Sequence, residues 1–373
     1  MSRLLKNIEL DILNNSSGVE RSCKIIERAI YRARIGFLEE SADEVETVRS
    51  HYKNSPNISV SAWAHLADGI IAFFGTMTLD ARSSMLRSRA LSVAGKLTQI
   101  NCLSSAWIAH IDYLKLDIKS LKESIEDVLR LADSSDHNSL SRGCLVVAQS
   151  LHWADAFECA LAWYKLAHSH ALHEGDEATI SAIMHNMAWQ KLRLWRAEEF
   201  GFSARKKKAF EHSLLGAQSA ENFDILIGST ALDSLVPSAI AQTLTLRGEY
   251  GRALVIFDQV LQIGLNQGLV RLHAELLADR AWCNLNLGFL DAAVNDSDAA
   301  EKLLCLNGPP DDSAFAHGGL ARIFKAIGAD KREEVHRAAA IECWGRHILL
   351  QDDMKVALAG LRLPMHDASS NNI

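Results

Sequence analysis

The sequence predicts an all-α chain built as a solenoid of helical hairpins, about seven to nine helix pairs long. Three observations point there. Of 373 residues, 48% are hydrophobic but only 7% aromatic; Ala and Leu are abundant while Val, Thr and Tyr are comparatively scarce, a mixture that favours helices. The five prolines, Pro56, Pro237, Pro309, Pro310 and Pro364, fall at junctions or at the start of a periodic segment, so helix interiors keep every backbone donor. Finally, the chain repeats itself: MAWQKLRLW at 187–195 and RAWCNLNLG at 280–288 are nearly the same phrase.

Along the chain, residues 1–19 read as an N-terminal segment, 20–350 as one repeat domain, and 351–373 as an extension with a polar tail. Polar connectors punctuate the array: KNSPN at 53–57, DSSDHNS at 133–139, HEGDEAT at 173–179 and NGPPDDS at 307–313. Each supplies Ser, Asp, Asn or Thr to cap a following helix. The blocks between them hold about 30 to 40 residues, enough for two helices and a turn. In 237–261 one helix runs into Arg247-Gly248-Glu249-Tyr250, and a second carries Ala253, Leu254, Phe257, Val260 and Leu261 on one stripe. Ala293 follows Ala253 at the next copy of that position, and Phe157, Ala160, Leu161, Tyr164 and Ala167 repeat the stripe upstream. The two opening phrases lie further apart than two local periods allow, which assigns an irregular insertion to 201–236.

These residues resemble the tetratricopeptide repeats. Gly248-Glu249-Tyr250, Ala253 and Phe257 match the turn and second helix of that family, and Trp63, Leu66, Ala67 and Ile70 match its first helix, with Ile in place of an aromatic. The resemblance covers 140–305 best and 58–132 next, and it is thinner at 20–53 and 313–350. It implies a right-handed α-solenoid whose first helices line a concave groove. The long repeat is similar to bacterial regulatory repeat proteins, including peptide sensors. The small residues have a physical purpose, since Ala148, Ala188, Ala241 and Ala281 stand where the helices of a hairpin cross and a larger side chain would push them apart.

Composition narrows the function. A net charge of −7 opposes a general nucleic-acid binder, which needs a basic surface. The N-terminal MSRLLKNIELDILNN reads as neither signal nor anchor, and no stretch approaches the roughly 18 uninterrupted apolar residues of a membrane span. Seven cysteines spread singly, without a CxxC pair, suit a reducing, cytoplasmic setting and core packing. Phosphate-cradling, nucleophile-elbow and helix-zinc motifs are all missing from the text, so no catalytic residue and no cofactor is assigned.

On this reading the protein binds a protein or peptide and acts as a scaffold or regulator. The groove candidates are Gln149, His152, His185, Asn186, Trp189, Arg193, Gln242, Asp279, Trp282 and Asn286, which offer amides to a peptide backbone, an Arg to a carboxylate and aromatic anchors. A second copy of the chain is a further candidate partner. The competing readings are an enzyme, a phosphatase or metal-dependent hydrolase using His170, His173 and His185 with Glu158 or Glu174, and a sensor subunit acting on a separate output protein. The run Arg205-Lys206-Lys207-Lys208 is read as a solvated face with some pull on acidic partners.

Overall fold

Apolar residues at helical spacing fold this chain into seventeen helices among the residues described in this computed structural model, namely 2–15, 17–76, 81–203, 213–231, 234–266, 270–304 and 308–364. In order they are α1 (Arg3–Asn14), α2 (Gly18–Arg34), α3 (Leu38–His51), α4 (Ile58–Thr76), α5 (Ala81–Ala94), α6 (Thr98–Lys115), α7 (Ile118–Leu131), α8 (His137–Trp153), α9 (Phe157–Glu174) and α10 (Glu177–Glu199), then α11 (Ser213–Ile227), α12 (Leu235–Leu246), α13 (Tyr250–Asn266), α14 (Val270–Asn286), α15 (Leu290–Leu303), α16 (Pro310–Ala326) and α17 (Asp330–Leu358). No strand occurs among the described residues. The all-α helical-repeat fold expected from the sequence is what forms.

Two compact units emerge. The first comprises 1–74, 78–183 and 351–373, the second 75–77 and 184–350. Within the first, α2 packs on α3, α6 on α7 and α8 on α9 as antiparallel hairpins, and α6 also packs on α8. Within the second, α12 pairs with α13 and α14 with α15, while α14 touches both α12 and α16. First helices of successive hairpins are therefore neighbours, and their facing sides form a row.

The turn that makes each hairpin is readable at three places forty residues apart. Gly248, Gly288 and Gly328 all adopt left-handed backbone conformations, φ 77°, 85° and 74°. Just beyond each, a backbone N–H reaches back to the last turn of the first helix: Glu249 to Leu244, Phe289 to Asn284, Ala329 to Phe324. This is the Schellman closure, which satisfies carbonyls that the helix end leaves over. In the first unit Lys96, Leu116 and Asp155 take the left-handed conformation without being glycine.

The crossing alanines Ala148, Ala188, Ala241 and Ala281 are all buried, as are Trp63, Leu66, Ala67 and Ile70 of α4. In the second unit Ala253, Phe257, Val260 and Leu261 of α13 join Ile240, Leu244, Leu276 and Phe324 in one apolar core. The helix α4 is long and apolar enough to cross a membrane by length and hydropathy, yet half of it is buried inside the fold, where nine of its residues pack.

Residues 1–19 hold more than a loose lead. In α1, Leu4, Leu5, Ile8 and Ile12 form one stripe that packs on Tyr31 and Ile35. Its start is tied to the α9–α10 turn, where Gly175 (φ 75°) lets Leu4 N–H bond to the Gly175 carbonyl at 3.1 Å. Residues 351–358 continue α17, and the Gln351 amide donates to the Trp153 carbonyl at 2.6 Å. Between 201 and 236 the helix among the described residues is α11, and it follows the 23-residue α10. Residues 204–212, with the run Arg205–Lys208, fall outside the described residues.

Candidate functional site

The neighbouring faces of the first helices carry polar side chains where a core would carry Leu. In the second unit, Arg193 and Arg196 stand one turn apart on α10, Gln242 on α12, Glu275 and Asp279 one turn apart on α14, and Asp311 and Asp312 at the start of α16. All seven are buried. Arg193 donates to Glu275 Oε2 at 2.8 Å, Asp311 Oδ2 at 2.7 Å and Asp312 Oδ1 at 2.8 Å. Arg196 pairs with Asp279 Oδ2 at 2.7 Å and lies 3.1 Å from Glu275 Oε1. The Gln242 amide bridges Glu275 and Asp279, 2.9 Å to each.

Aromatic rings wall this network. The Arg193 guanidinium lies over Phe315 at 4.2 Å, and Arg196 faces Phe315 and Phe200 at 5.2 and 5.5 Å. Phe202 stacks on Trp344 at 4.9 Å. In such dry surroundings charges must be paired. Arg193, with three carboxylates around it, is held protonated well above the usual range despite its burial. The adjacent Asp311 and Asp312 share that cation and titrate as a pair. Burial and its neighbour's charge push Asp312 up to about 6, while Arg193 and His347 hold Asp311 down at about 2.

Pairing is nonetheless incomplete. The Arg196 Nη2, Gln242 Oε1, Asp279 Oδ1 and Asp312 Oδ2 atoms are sealed from solvent and find no hydrogen-bond partner among the described residues. At the edge of the row, Arg322 of α16 lies over the Trp282 indole at 3.9 Å. Among the described residues its one ion-pair contact is Glu199, 4.0 Å away, and burial lowers its pKa to about 10.

Of the ten side chains read from the sequence as a groove, Arg193, Gln242 and Asp279 thus belong to one buried network. Gln149 and His152 are also buried, Gln149 against His110 at 3.1 Å and His152 against the Tyr164 hydroxyl at 3.3 Å. His185, Asn186, Trp189 and Trp282 are half-buried, and Asn286 is exposed, its amide donating to the Trp282 carbonyl at 2.8 Å. Trp189 rests against the apolar core with Arg193 5.8 Å from its ring, so this indole serves core and row together. Sequence reasoning missed Arg196, Glu275, Asp311, Asp312 and Arg322. The usable signal was complementary charge at one-turn spacing on first helices that become neighbours.

The histidines divide differently from the metal set considered above. His170 meets His137 through their Nδ1 atoms at 2.8 Å, and His173 stacks on the same His137 ring at 4.9 Å. His185 is instead 2.5 Å from Asp224 Oδ2, a pairing internal to the second unit. Among the described residues no three His, Cys, Asp or Glu side chains are grouped to hold a metal.

In the first unit the corresponding row holds Arg34 of α2, Trp107 and His110 of α6, Arg142 and Gln149 of α8, and Asp176 and Thr179 at the start of α10. One Arg34 nitrogen donates to both Asp176 oxygens at 2.9 Å and to Thr179 Oγ1 at 2.8 Å. Asp176 also accepts the Thr179 N–H, capping α10, and Arg34 helps hold its pKa below the usual range against its burial.

No protein-family profile and no curated protein matches the chain. Two solved structures are similar to it in fold. One is a Rap protein complexed with competence and sporulation factor, at 12% identity and TM-score 0.57, covering 95% of this chain and 92% of that one. The other is the apo form of RapI, at 12% identity and TM-score 0.47, covering 91% and 90%. At this identity the likeness is one of fold.

Proposed function

We propose that the protein is a regulatory module that binds a peptide or an extended segment of another protein along the first-helix row, and that it works without catalysis. One observation carries this reading: the row is polar and charged, and several of its buried polar atoms find no hydrogen-bond partner among the described residues. A structural core gains nothing from such groups, because each unmet donor or acceptor costs about 1–3 kcal/mol. A surface that receives a peptide backbone uses them. The half-buried residues His185, Asn186, Trp189, Trp282 and Arg322 supply an entry from solvent. The similar Rap structure holds competence and sporulation factor, which favours a ligand-binding reading of this fold. The buried free thiols Cys102, Cys144 and Cys283 suit a reducing compartment, and we place the protein in the cytoplasm.

The test is affinity selection of a random peptide library on the purified full chain, with calorimetry on the retained sequences. We expect a consensus to emerge and an Asn186→Ala, Trp282→Ala double variant to lose at least tenfold in affinity while keeping its helicity. Selection of no sequence, or equal affinity for the variant, overturns the proposal.

A further inference from the structure

Arg142 is the least explained charge in the molecule. It sits on α8 at 5% exposure, and among the described residues it has no hydrogen bond and no ion pair. Its Nε is sealed from solvent and unpartnered. The guanidinium lies over the Trp107 indole at 4.0 Å, and Arg34 approaches the same ring at 5.9 Å. The charged groups acting on Arg142 are Arg34, which repels it, and Asp176, which attracts it. Asp176, however, is already bonded through both oxygens to Arg34. Two guanidiniums and one carboxylate leave one positive charge over, on a side chain only 5% exposed.

Cation–π attraction returns only part of what removing an unpaired charge from water costs. Burial and Arg34 accordingly lower the Arg142 pKa to about 9, far from the range of a settled arginine. Elsewhere in this protein buried arginines meet carboxylates: Arg34, Arg193 and Arg196 all do. A guanidinium held over an indole spends its face on the ring and leaves its N–H edge free, a fork that suits a planar, singly charged oxyanion.

We propose that Arg142, stacked on Trp107 beside Arg34, receives a carboxylate of the bound ligand, either the C-terminal carboxylate of a peptide or an Asp or Glu side chain within it. The inference rests on the peptide-binding reading above and names the group that reading leaves open. One surplus positive charge matches a carboxylate better than a doubly charged phosphate. With the carboxylate in place, the charge of the Arg34, Arg142 and Asp176 group falls to zero.

The experiment presents one random heptapeptide library in two forms, free acid and C-terminal amide, to the full-length wild type, Arg142→Met and Arg142→Lys, with helicity and melting checked for each. Wild type should bind its selected peptides at least tenfold more tightly as free acids, which assigns the terminal carboxylate. If the same loss appears instead on changing Asp or Glu to Asn or Gln, a side chain is assigned. Arg142→Met should lose that preference yet melt no lower than wild type without ligand, since it removes an unpaired buried charge; a purely structural arginine would lower the melting temperature. Should Arg142→Met fail to fold, Arg142→Lys decides, because it keeps the charge without the fork and should lose several-fold in preference.

Selected peptides indifferent to every carboxylate, or a preference that survives in both variants, overturn this inference and leave peptide binding standing. If wild type selects no peptide, the peptide reading falls, and melting in sodium acetate against sodium chloride at equal ionic strength decides the rest. Stabilisation by acetate in wild type but not in Arg142→Met upholds the carboxylate site. Stabilisation by neither anion, or only by sodium phosphate, overturns it.

Discussion

Replacing Arg193 by Met removes one cation from among three buried carboxylates. Glu275 keeps Arg196 and Gln242 as neighbours, but Asp311 and Asp312 lose the charge-assisted donors at 2.7 and 2.8 Å. The nearest remaining cation, Arg271, is exposed and 3.5 Å from Asp312. Breaking a buried ion pair by deleting one partner costs about 3–5 kcal/mol, because the survivor stays desolvated. For a domain the size of the second unit, each kcal/mol moves the melting temperature by about 2–4 °C, so Arg193→Met should melt about 6–20 °C lower at pH 7.5. Circular dichroism at 222 nm follows the transition. Adding Asp312→Asn should raise the melting temperature of Arg193→Met by more than it raises that of wild type, because it removes a stranded charge, and that non-additivity identifies the network as the cause. A fall of less than about 2 °C, or no recovery in the double variant, would refute the pairing described for these residues.

Other consequences are equally open to measurement. Asp312 has its folded pKa raised to about 6, so its ionised form strains the fold, and the stability it confers when protonated is lost as pH rises through 6. Asp312→Asn should therefore melt at or above wild type at pH 7.5, with the gap closing by pH 5; comparison with wild type cancels the opposing titration of His317, whose pKa is lowered to about 4. A gap that widens toward pH 5 would reverse that sign. Gly288→Ala meets no atom within 4 Å and should cost only the left-handed backbone penalty, about 1–2 kcal/mol in chemical denaturation. Gly175→Ala carries the same penalty and also places its Cβ 2.6 Å from Arg3 Nε and 3.1 Å from Leu4 N, so it should cost more and loosen α1. Thiol titration of the native protein at pH 8 should modify exposed Cys159 rapidly and spare Cys102, Cys144 and Cys283, whose thiols are pushed up to about 12 by burial.

Much of this fold could be read from the text because its rules are local. Helix faces follow from spacing, hairpin turns from Gly248 and its repeats, and helix crossings from Ala148, Ala188, Ala241 and Ala281, each needing only a few neighbouring residues to be recognised. The candidate site is long-range. Arg193 reaches Asp312 across 119 positions and Arg34 reaches Asp176 across 142, and no periodicity shows which charges will meet. Arg193, Gln242 and Asp279 were legible as inward-facing, but their mutual satisfaction was not. Arg142 left no trace, since a single arginine in the apolar text SRGCLVVAQ looks like any helix residue until Trp107 is placed against it. The docking of α1 on Tyr31 and Ile35 was not legible either, because its start is tied to the distant turn at Gly175.

Whether the first helices of the second unit receive the ligand is decided by hydrogen–deuterium exchange of the full chain with and without a selected peptide. Slower exchange is expected in α12 and α14, with α13 and α15 unchanged. Protection confined to the second helices, or protection nowhere at saturating peptide, would contradict it.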